Sequence, residues 1–293
     1  MRKNHPIKTW STPVTEEGRS SIPCALCGGG RFRPALSCEG FAYVRCADCG
    51  LVQMNPQPLA AAVERRYREI FGNEYLSYEI KNEAAFLDLQ KRALEDSGFY
   101  QIEKDLLESR DDPPSVLDVG CATGAMLALL KERGWQVTGV EISPSAEYAR
   151  QRGIDVQSTS LEECRFPGES FDLVLASHLI EHLNDPASFV REAWRVLRPA
   201  ARLLLITPNI DGFQARLFGS RWRSAIFDHL YLFSVRTLAA MLRAAGFAVE
   251  GVYTWGGLAA GTVPAPLKAI ADKTAKKLGL GDVMLVKARK TLD

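Results

Sequence analysis

The sequence predicts an α/β protein: a doubly wound, mostly parallel sheet with helices on both faces, preceded by a small metal-binding unit and a helical segment. After residue 114, short apolar strands alternate with helical patterns, which is how consecutive βαβ units read. A Gly-rich turn, Asp118-x-Gly120-x-x-x-Gly124, joins the first of these strands to a helix. Five of the seven cysteines fall between residues 24 and 49, and four of them form two Cys-x-x-Cys pairs.

With 293 residues, 46% hydrophobic and 24% charged, the composition is that of an ordinary globular chain. It is long enough for a full core and a small second unit. A net charge of +1 gives no global positive field, so nucleic acid or an anionic membrane is not an expected partner. No apolar run reaches the roughly 18 residues of a membrane span. No apolar stretch follows the N-terminal residues, so no signal peptide is expected and the setting reads as soluble, reduced and cytoplasmic.

Taken in order, residues 1–20 are polar and aperiodic, a flexible tail. Residues 21–56 contain Cys24-x-x-Cys27 and Cys46-x-x-Cys49, each pair followed by a glycine, Gly28 and Gly50. Clustered, paired cysteines in a reduced compartment indicate metal more often than disulfide. Four thiolates suit tetrahedral zinc in a closed, structural site, and the small residue after each pair lets backbone N–H groups point at sulfur. The competing reading is a set of reduced or redox cysteines. Cys38 breaks the pairing and reads as a bystander. Residues 57–112 form a helical cap or linker: an amphipathic helix over Leu59–Phe71, then a helical stretch from 80 to 108 weakened at Gly98, ended by Asp111-Asp112-Pro113-Pro114.

The remaining unit, 113–293, has strands expected at 116–121, 136–141, 154–157, 171–177, 202–207, 247–253 and 282–288. Helices are expected at 124–133, 144–152, 186–198, 234–245 and near 265–278, and residues 208–233 read as irregular. Ligands of such sheets bind at the carboxyl ends of the strands. The first strand ends in the Gly-rich turn, where Asp118 replaces the first glycine of the dinucleotide fingerprint. A carboxylate there repels a pyrophosphate and suits an ammonium or sulfonium group. The second strand ends at Glu141, an acid placed to accept both hydroxyls of a ribose. After the third come Ser160 and Leu161, placed to line an adenine pocket. The fourth ends at Ser177-His178, followed by Glu181-His182.

These residues resemble the class I S-adenosylmethionine-dependent methyltransferases over about 113–290. The resemblance implies a Rossmann-like sheet of seven strands whose last strand is antiparallel and inserts beside strand five. It implies S-adenosylmethionine as cofactor, with the turn from Asp118 through Gly120 and Cys121 to Gly124 around its methionine part. Glu141 would then bind the ribose and Ser160 and Leu161 line the adenine, with Ile142, Ser177 and His178 also in contact with the cofactor. Many relatives carry an Asp where Ser160 stands here. The segment Phe166–Leu175 and the Glu181-His182 pair look like the small-molecule branch, which includes quinone and sugar enzymes. A four-cysteine unit before such a domain is similar to a subset of sugar C- and O-methyltransferases. The implied partner is a small-molecule acceptor; the macromolecular alternative has Arg31, Arg33 and Arg45 around the cysteines as its only support.

Transfer from a sulfonium is an in-line displacement, so the protein mainly aligns the reacting atoms. A hydroxyl or carbon acid also needs a base. In the sugar enzymes a histidine in a context like His229-x-x-x-Phe233-Ser234 looks like that base, which places His229 first and His182 second, with Glu181 either orienting a histidine or contacting the substrate. Either histidine could instead be structural, bonding a loop carbonyl. The stretch His178-x-x-Glu181-His182 also matches the inverted zinc-peptidase pattern, which requires both histidines on one helix face; it directly follows a buried strand, which argues against this. Trp222, Phe227 and Tyr231 are either a lid or ordinary core, and the apolar segment 247–267 reads as a strand and turn in preference to the lining of an acceptor pocket.

Overall fold

The computed structural model describes residues 18–70, 72–256 and 273–292. The tail up to residue 17, the segment 257–267 and the expected helix before residue 273 lie outside these residues. Among the described residues no helix is long and apolar enough to cross a membrane.

The N-terminal unit is a small antiparallel sheet. Strands β1 (Arg19–Ser20), β2 (Phe32–Cys38), β3 (Phe41–Cys46), β4 (Val52–Met54) and β5 (Gln57–Pro58) come first in the chain. β2, β3 and β4 form a meander and β1 pairs with β5. The helix expected over Leu59–Phe71 is instead α1 (Ala60–Arg65) running into a π-helical turn, Arg66–Ile70. Wider turns of this kind tend to occur at functional sites. α2 (Gly72–Asp96) and α3 (Phe99–Glu108) follow, separated at Gly98, whose φ of 71° only glycine adopts freely.

The large unit contains β6 (Ser115–Val119), α4 (Ala125–Glu132), β7 (Gln136–Val140), α5 (Ser145–Gln151), β8 (Asp155–Gln157) and α6 (Leu161–Cys164). It continues with β9 (Phe171–Ser177), α7 (Pro186–Val196), β10 (Leu197–Pro208), α8 (Phe213–Phe218), β11 (Tyr231–Leu232), α9 (Val235–Ala244), β12 (Phe247–Trp255) and β13 (Val283–Lys290). Seven strands form one sheet in the order β12-β13-β10-β9-β6-β7-β8. β6 through β10 are parallel, and β13 runs antiparallel between β10 and β12, as the resemblance implies. Strand interiors such as Leu117, Val174, Leu203 and Leu205 are fully buried, because both faces are covered by helices.

Three further expectations need correction. Arg19–Ser20, expected within the flexible tail, form β1 because they pair with Gln57–Pro58. The helix expected to reach residue 198 ends at Val196, and β10 starts at Leu197, with a register shift between Leu197 and Arg202. The segment 208–233 is not irregular throughout. It holds α8, and its last residues form β11, which pairs with β4 of the N-terminal sheet (Tyr231 with Gln53, Leu232 with Val52). A two-residue strand has no readable alternation, so only its partner reveals it.

The chain order reverses between β6 and β9, the neighbouring strands at the centre of the sheet. A cleft opens at their carboxyl ends, lined by Asp118 and Ser177 with Gln90 and Leu94 of α2. This is where an open α/β sheet places its ligand.

Candidate active site

At the end of β6, Asp118 is only 4% exposed and makes no hydrogen bond among the described residues. Burial, then the charge of Glu141, pushes its carboxyl up to about 8. Gly120 and Gly124 both lie in the left-handed region, at φ 74° and 73°. A Cβ on Gly124 would stand 2.9 Å from that of Ala149, so side chains are excluded by space as well as by torsion. Ala122 adopts φ 49° between them, and Cys121 is buried against Gly139. Glu141 is already aimed at the turn: its carboxylate accepts from the N–H of Ala122 at 3.1 Å and of Ser143 at 2.8 Å. Ile142 beside it is half-buried.

Ser160 has a local duty. Its hydroxyl accepts from the Glu163 N–H at 3.3 Å and caps α6 in a reciprocal capping box, while Leu161 is buried in the core. The hydroxyl expected toward an adenine is therefore already engaged. Glu79 of α2 had no signal in the sequence. It is buried, accepts from the Ser145 hydroxyl, and is pushed up to about 8 by burial and then by Glu141.

Beyond β9, Ser177 borders the cleft with Asp118. His178 is half-exposed and left-handed at φ 53°, with Nδ1 3.2 Å from Glu181 Oε1. Ile180–His182 is a single 3₁₀ turn. The shared helix face required by the zinc-peptidase pattern is absent. Glu181 is fully buried and accepts from the Thr207 hydroxyl at 2.9 Å. Burial opposes its ionisation, but the hydrogen bond to His178 and the charges of His182, His178 and His229 hold it at about 2.

His182 and His229 stand together, ring centroids 4.7 Å apart and edge to face. His182 Nδ1 lies 2.9 Å from the Asp228 carbonyl and 2.8 Å from the Tyr67 hydroxyl. His229 Nδ1 lies 2.8 Å from the Ser224 carbonyl. A carbonyl only accepts, so Nδ1 carries a proton in both rings. Burial, and next the charge of His182, lower His229 to about 3, so at neutral pH it stands uncharged with a lone pair on Nε2. Donor atoms of Glu181, His182 and His229 all lie within 4.8 Å of one another, although both oxygens of Glu181 are already hydrogen-bonded. Arg66 forms an ion pair with Asp228 at 2.8 Å. Arg66 and Tyr67 both escaped the sequence reading, because a π turn has no pattern that distinguishes it from an α-helix. Trp222, Phe227 and Tyr231 are all buried: they are core and not a lid.

In the N-terminal sheet, the four sulfurs of Cys24, Cys27, Cys46 and Cys49 lie within 4.8 Å of one another. Cys24 to Cys49 is 3.4 Å and Cys27 to Cys46 is 3.5 Å, near the roughly 3.8 Å edge of a tetrahedron with zinc–sulfur bonds of about 2.3 Å. Gly28 and Gly50 are both left-handed and close the two turns onto the Cys24 and Cys46 carbonyls. Burial works against the Cys46 thiolate, but N–H groups of Cys49 and Asp48 and the neighbouring sulfurs lower it to about 7. The donor set therefore fits zinc. Cys38 stands apart, its sulfur toward the carbonyls of Ser220 and Ala225.

A family model described as a methyltransferase domain matches residues 91–252. The chain belongs to this family. The match runs from α2 through most of β12 and leaves the four-cysteine sheet outside it. A probable S-adenosylmethionine-dependent methyltransferase of Mycolicibacterium smegmatis is 34% identical to this methyltransferase-domain chain over 152 residues, 49% of the chain and 57% of that protein. A ubiquinone biosynthesis O-methyltransferase of a Methylobacterium species is 33% identical, covering 32% of the chain and 41% of that protein. A second, from Xanthomonas euvesicatoria, is 31% identical over 47% and 64%. The matches thus span about half the length of these curated relatives. Among solved structures, a possible histamine N-methyltransferase of Thermotoga maritima is 22% identical with a TM-score of 0.49, covering 71% of this chain and 97% of that one.

Proposed function

We propose that the protein transfers a methyl group from S-adenosylmethionine to a hydroxyl or carbon acid of a small molecule, such as a quinone-like compound or a sugar nucleotide. The observation that carries this is Asp118: a buried carboxyl without a hydrogen-bond partner among the described residues, beside a second carboxylate, at the switch point of the sheet. Such a group favours a cationic ligand, and S-adenosylmethionine brings both an ammonium and a sulfonium. The bound cofactor supplies an activated methyl group. Gly120 and Gly124 let the chain approach it closely, and Glu141 accepts from its ribose hydroxyls. Near the acceptor, His229 takes the proton at Nε2, with the Ser224 carbonyl holding the opposite nitrogen. His182, steadied by Tyr67 and Asp228, assists. Glu181 stays ionised and stabilises the imidazolium that forms. The four cysteines hold a structural zinc. The names of the ubiquinone relatives favour a small acceptor over a macromolecule. Calorimetry with S-adenosylmethionine tests the cofactor assignment: Glu141→Ala should weaken binding about tenfold or more, and an unchanged affinity would remove the ribose role.

A further inference from the structure

The four-cysteine sheet and the candidate base meet at one tight turn. The His229 N–H donates to the Ile226 carbonyl at 3.1 Å and closes the turn. The Tyr43 hydroxyl sits inside it, 2.7 Å from the carbonyl oxygens of both Ile226 and His229. The Tyr43 ring is buried, edge-on to Phe41, which is in turn edge-on to Phe227. Burial raises the phenol well above its usual value, so it remains a donor at any working pH. The next residue is held from the same side: Met54 N–H donates to the Leu230 carbonyl at 2.8 Å, and β4 pairs with β11 directly after it.

Each of these holding strands adjoins a cysteine pair. Tyr43 lies on β3, which ends at Cys46, and β4 begins just after Cys49. Arg236, at the start of α9, donates to the Cys49 carbonyl at 2.8 Å. The imidazole is fixed at its own end by the Ser224 carbonyl, in the same segment. A rotation of the 226–229 turn therefore changes the direction of His229 Nε2, and Tyr43 resists that rotation from the side of the four-cysteine sheet, as Arg66 and His182 do at Asp228 from the other. The cofactor turn is held differently, by β6, β7 and the carboxylate of Glu141.

Resting on the reading of His229 as the base, we propose that Tyr43 is a positioning residue for His229 and that the metal held by Cys24, Cys27, Cys46 and Cys49 sets the acceptor end of the site through it. Metal occupancy and the direction of the base are then one property. Loss of zinc frees the ends of β3 and β4, loosens the 226–229 turn and leaves the cofactor end formed.

Imidazole nitrogen spectra and amide hydrogen exchange test this on three samples: zinc-loaded protein, zinc-loaded Tyr43→Phe, and chelator-treated protein. In the loaded protein, His229 should show a single tautomer with the proton on Nδ1. In Tyr43→Phe the His229 signals should shift or broaden, and amides 229–232 should exchange about tenfold faster, the scale of one lost hydrogen bond. Amides of β6 and β9 and the affinity for S-adenosylmethionine should stay within about twofold. The chelated protein should show the same pattern, more strongly. Unchanged His229 signals in Tyr43→Phe would overturn the positioning role, even if that variant were less stable. Should chelation unfold the whole chain, the loaded Tyr43→Phe sample still decides. The base reading fails separately, through retained turnover in His229→Ala, which leaves the spectra of the other samples unaffected.

Discussion

The proposed cofactor site and the proposed acceptor site gather their residues in different ways. Asp118, Gly120, Gly124 and Glu141 belong to one βαβ unit, and the strand ends alone bring them together. Tyr67, His182 and His229 come from a π turn, a 3₁₀ turn and a loop, and hydrogen bonds spanning 115 and 46 residues unite them. The first end needs only a parallel sheet. The second needs the four-cysteine sheet, the cap and the loop before α9 all in place. A common methyl donor with a variable acceptor fits that division, since loops change more freely than strands.

The sharpest way to break the comparison is His229→Ala. Turnover should fall about a hundred- to ten-thousandfold, the usual share of a general base, while calorimetric affinity for S-adenosylmethionine barely changes. A matching loss of cofactor affinity would mean the two ends are not independent. If turnover persists, the base passes to His182.

The cofactor end should reveal itself through pH. Asp118 and Glu79 both sit near 8 in the ligand-free site, so below that pH they are protonated. A bound cation favours their ionised forms and lowers both values. Binding then releases protons, and affinity for S-adenosylmethionine should rise as pH goes from 6 to 8, by up to about tenfold per pH unit for each proton released. Above 8 the gain should level off. A flat profile would show that neither carboxyl faces the cation.

Gly124→Ala should be intermediate. The added methyl meets Ala149 at 2.9 Å in a left-handed backbone, a cost of about 1–3 kcal/mol. Thermal unfolding should register it together with weaker cofactor binding. The smallest effect is expected of Ser160→Ala, which removes the cap of α6 at about 1 kcal/mol. If cofactor affinity falls with it beyond the stability loss, Ser160 contributes to the adenine pocket in addition to its cap.

Most of the fold was legible because parallel strands buried on both faces are continuous apolar runs, punctuated by glycines and prolines. Asp118 and Glu141 could be read because a strand end fixes where a side chain goes. The cluster of four cysteines could be read because two Cys-x-x-Cys pairs on Gly-closed turns bring four sulfurs together. Glu79, Arg66 and Tyr67 could not, since each sits in a helical pattern that looks like any solvated helix. Ser160 could be read in two ways: a serine before Glu163 is equally a cap and a pocket residue, and the structure shows its hydroxyl capping α6.

By itself, the sequence determined the sheet, the Gly-rich turn that ends β6 and the cysteine cluster of the N-terminal unit, because each depends on residues close together along the chain. The tertiary structure alone decided that His182 and His229 face one another, that Tyr67 steadies the first, and that β11 joins the four-cysteine sheet. Those contacts join distant segments through burial and single hydrogen bonds, and no local pattern of residue types encodes which carbonyl a buried hydroxyl or imidazole will find.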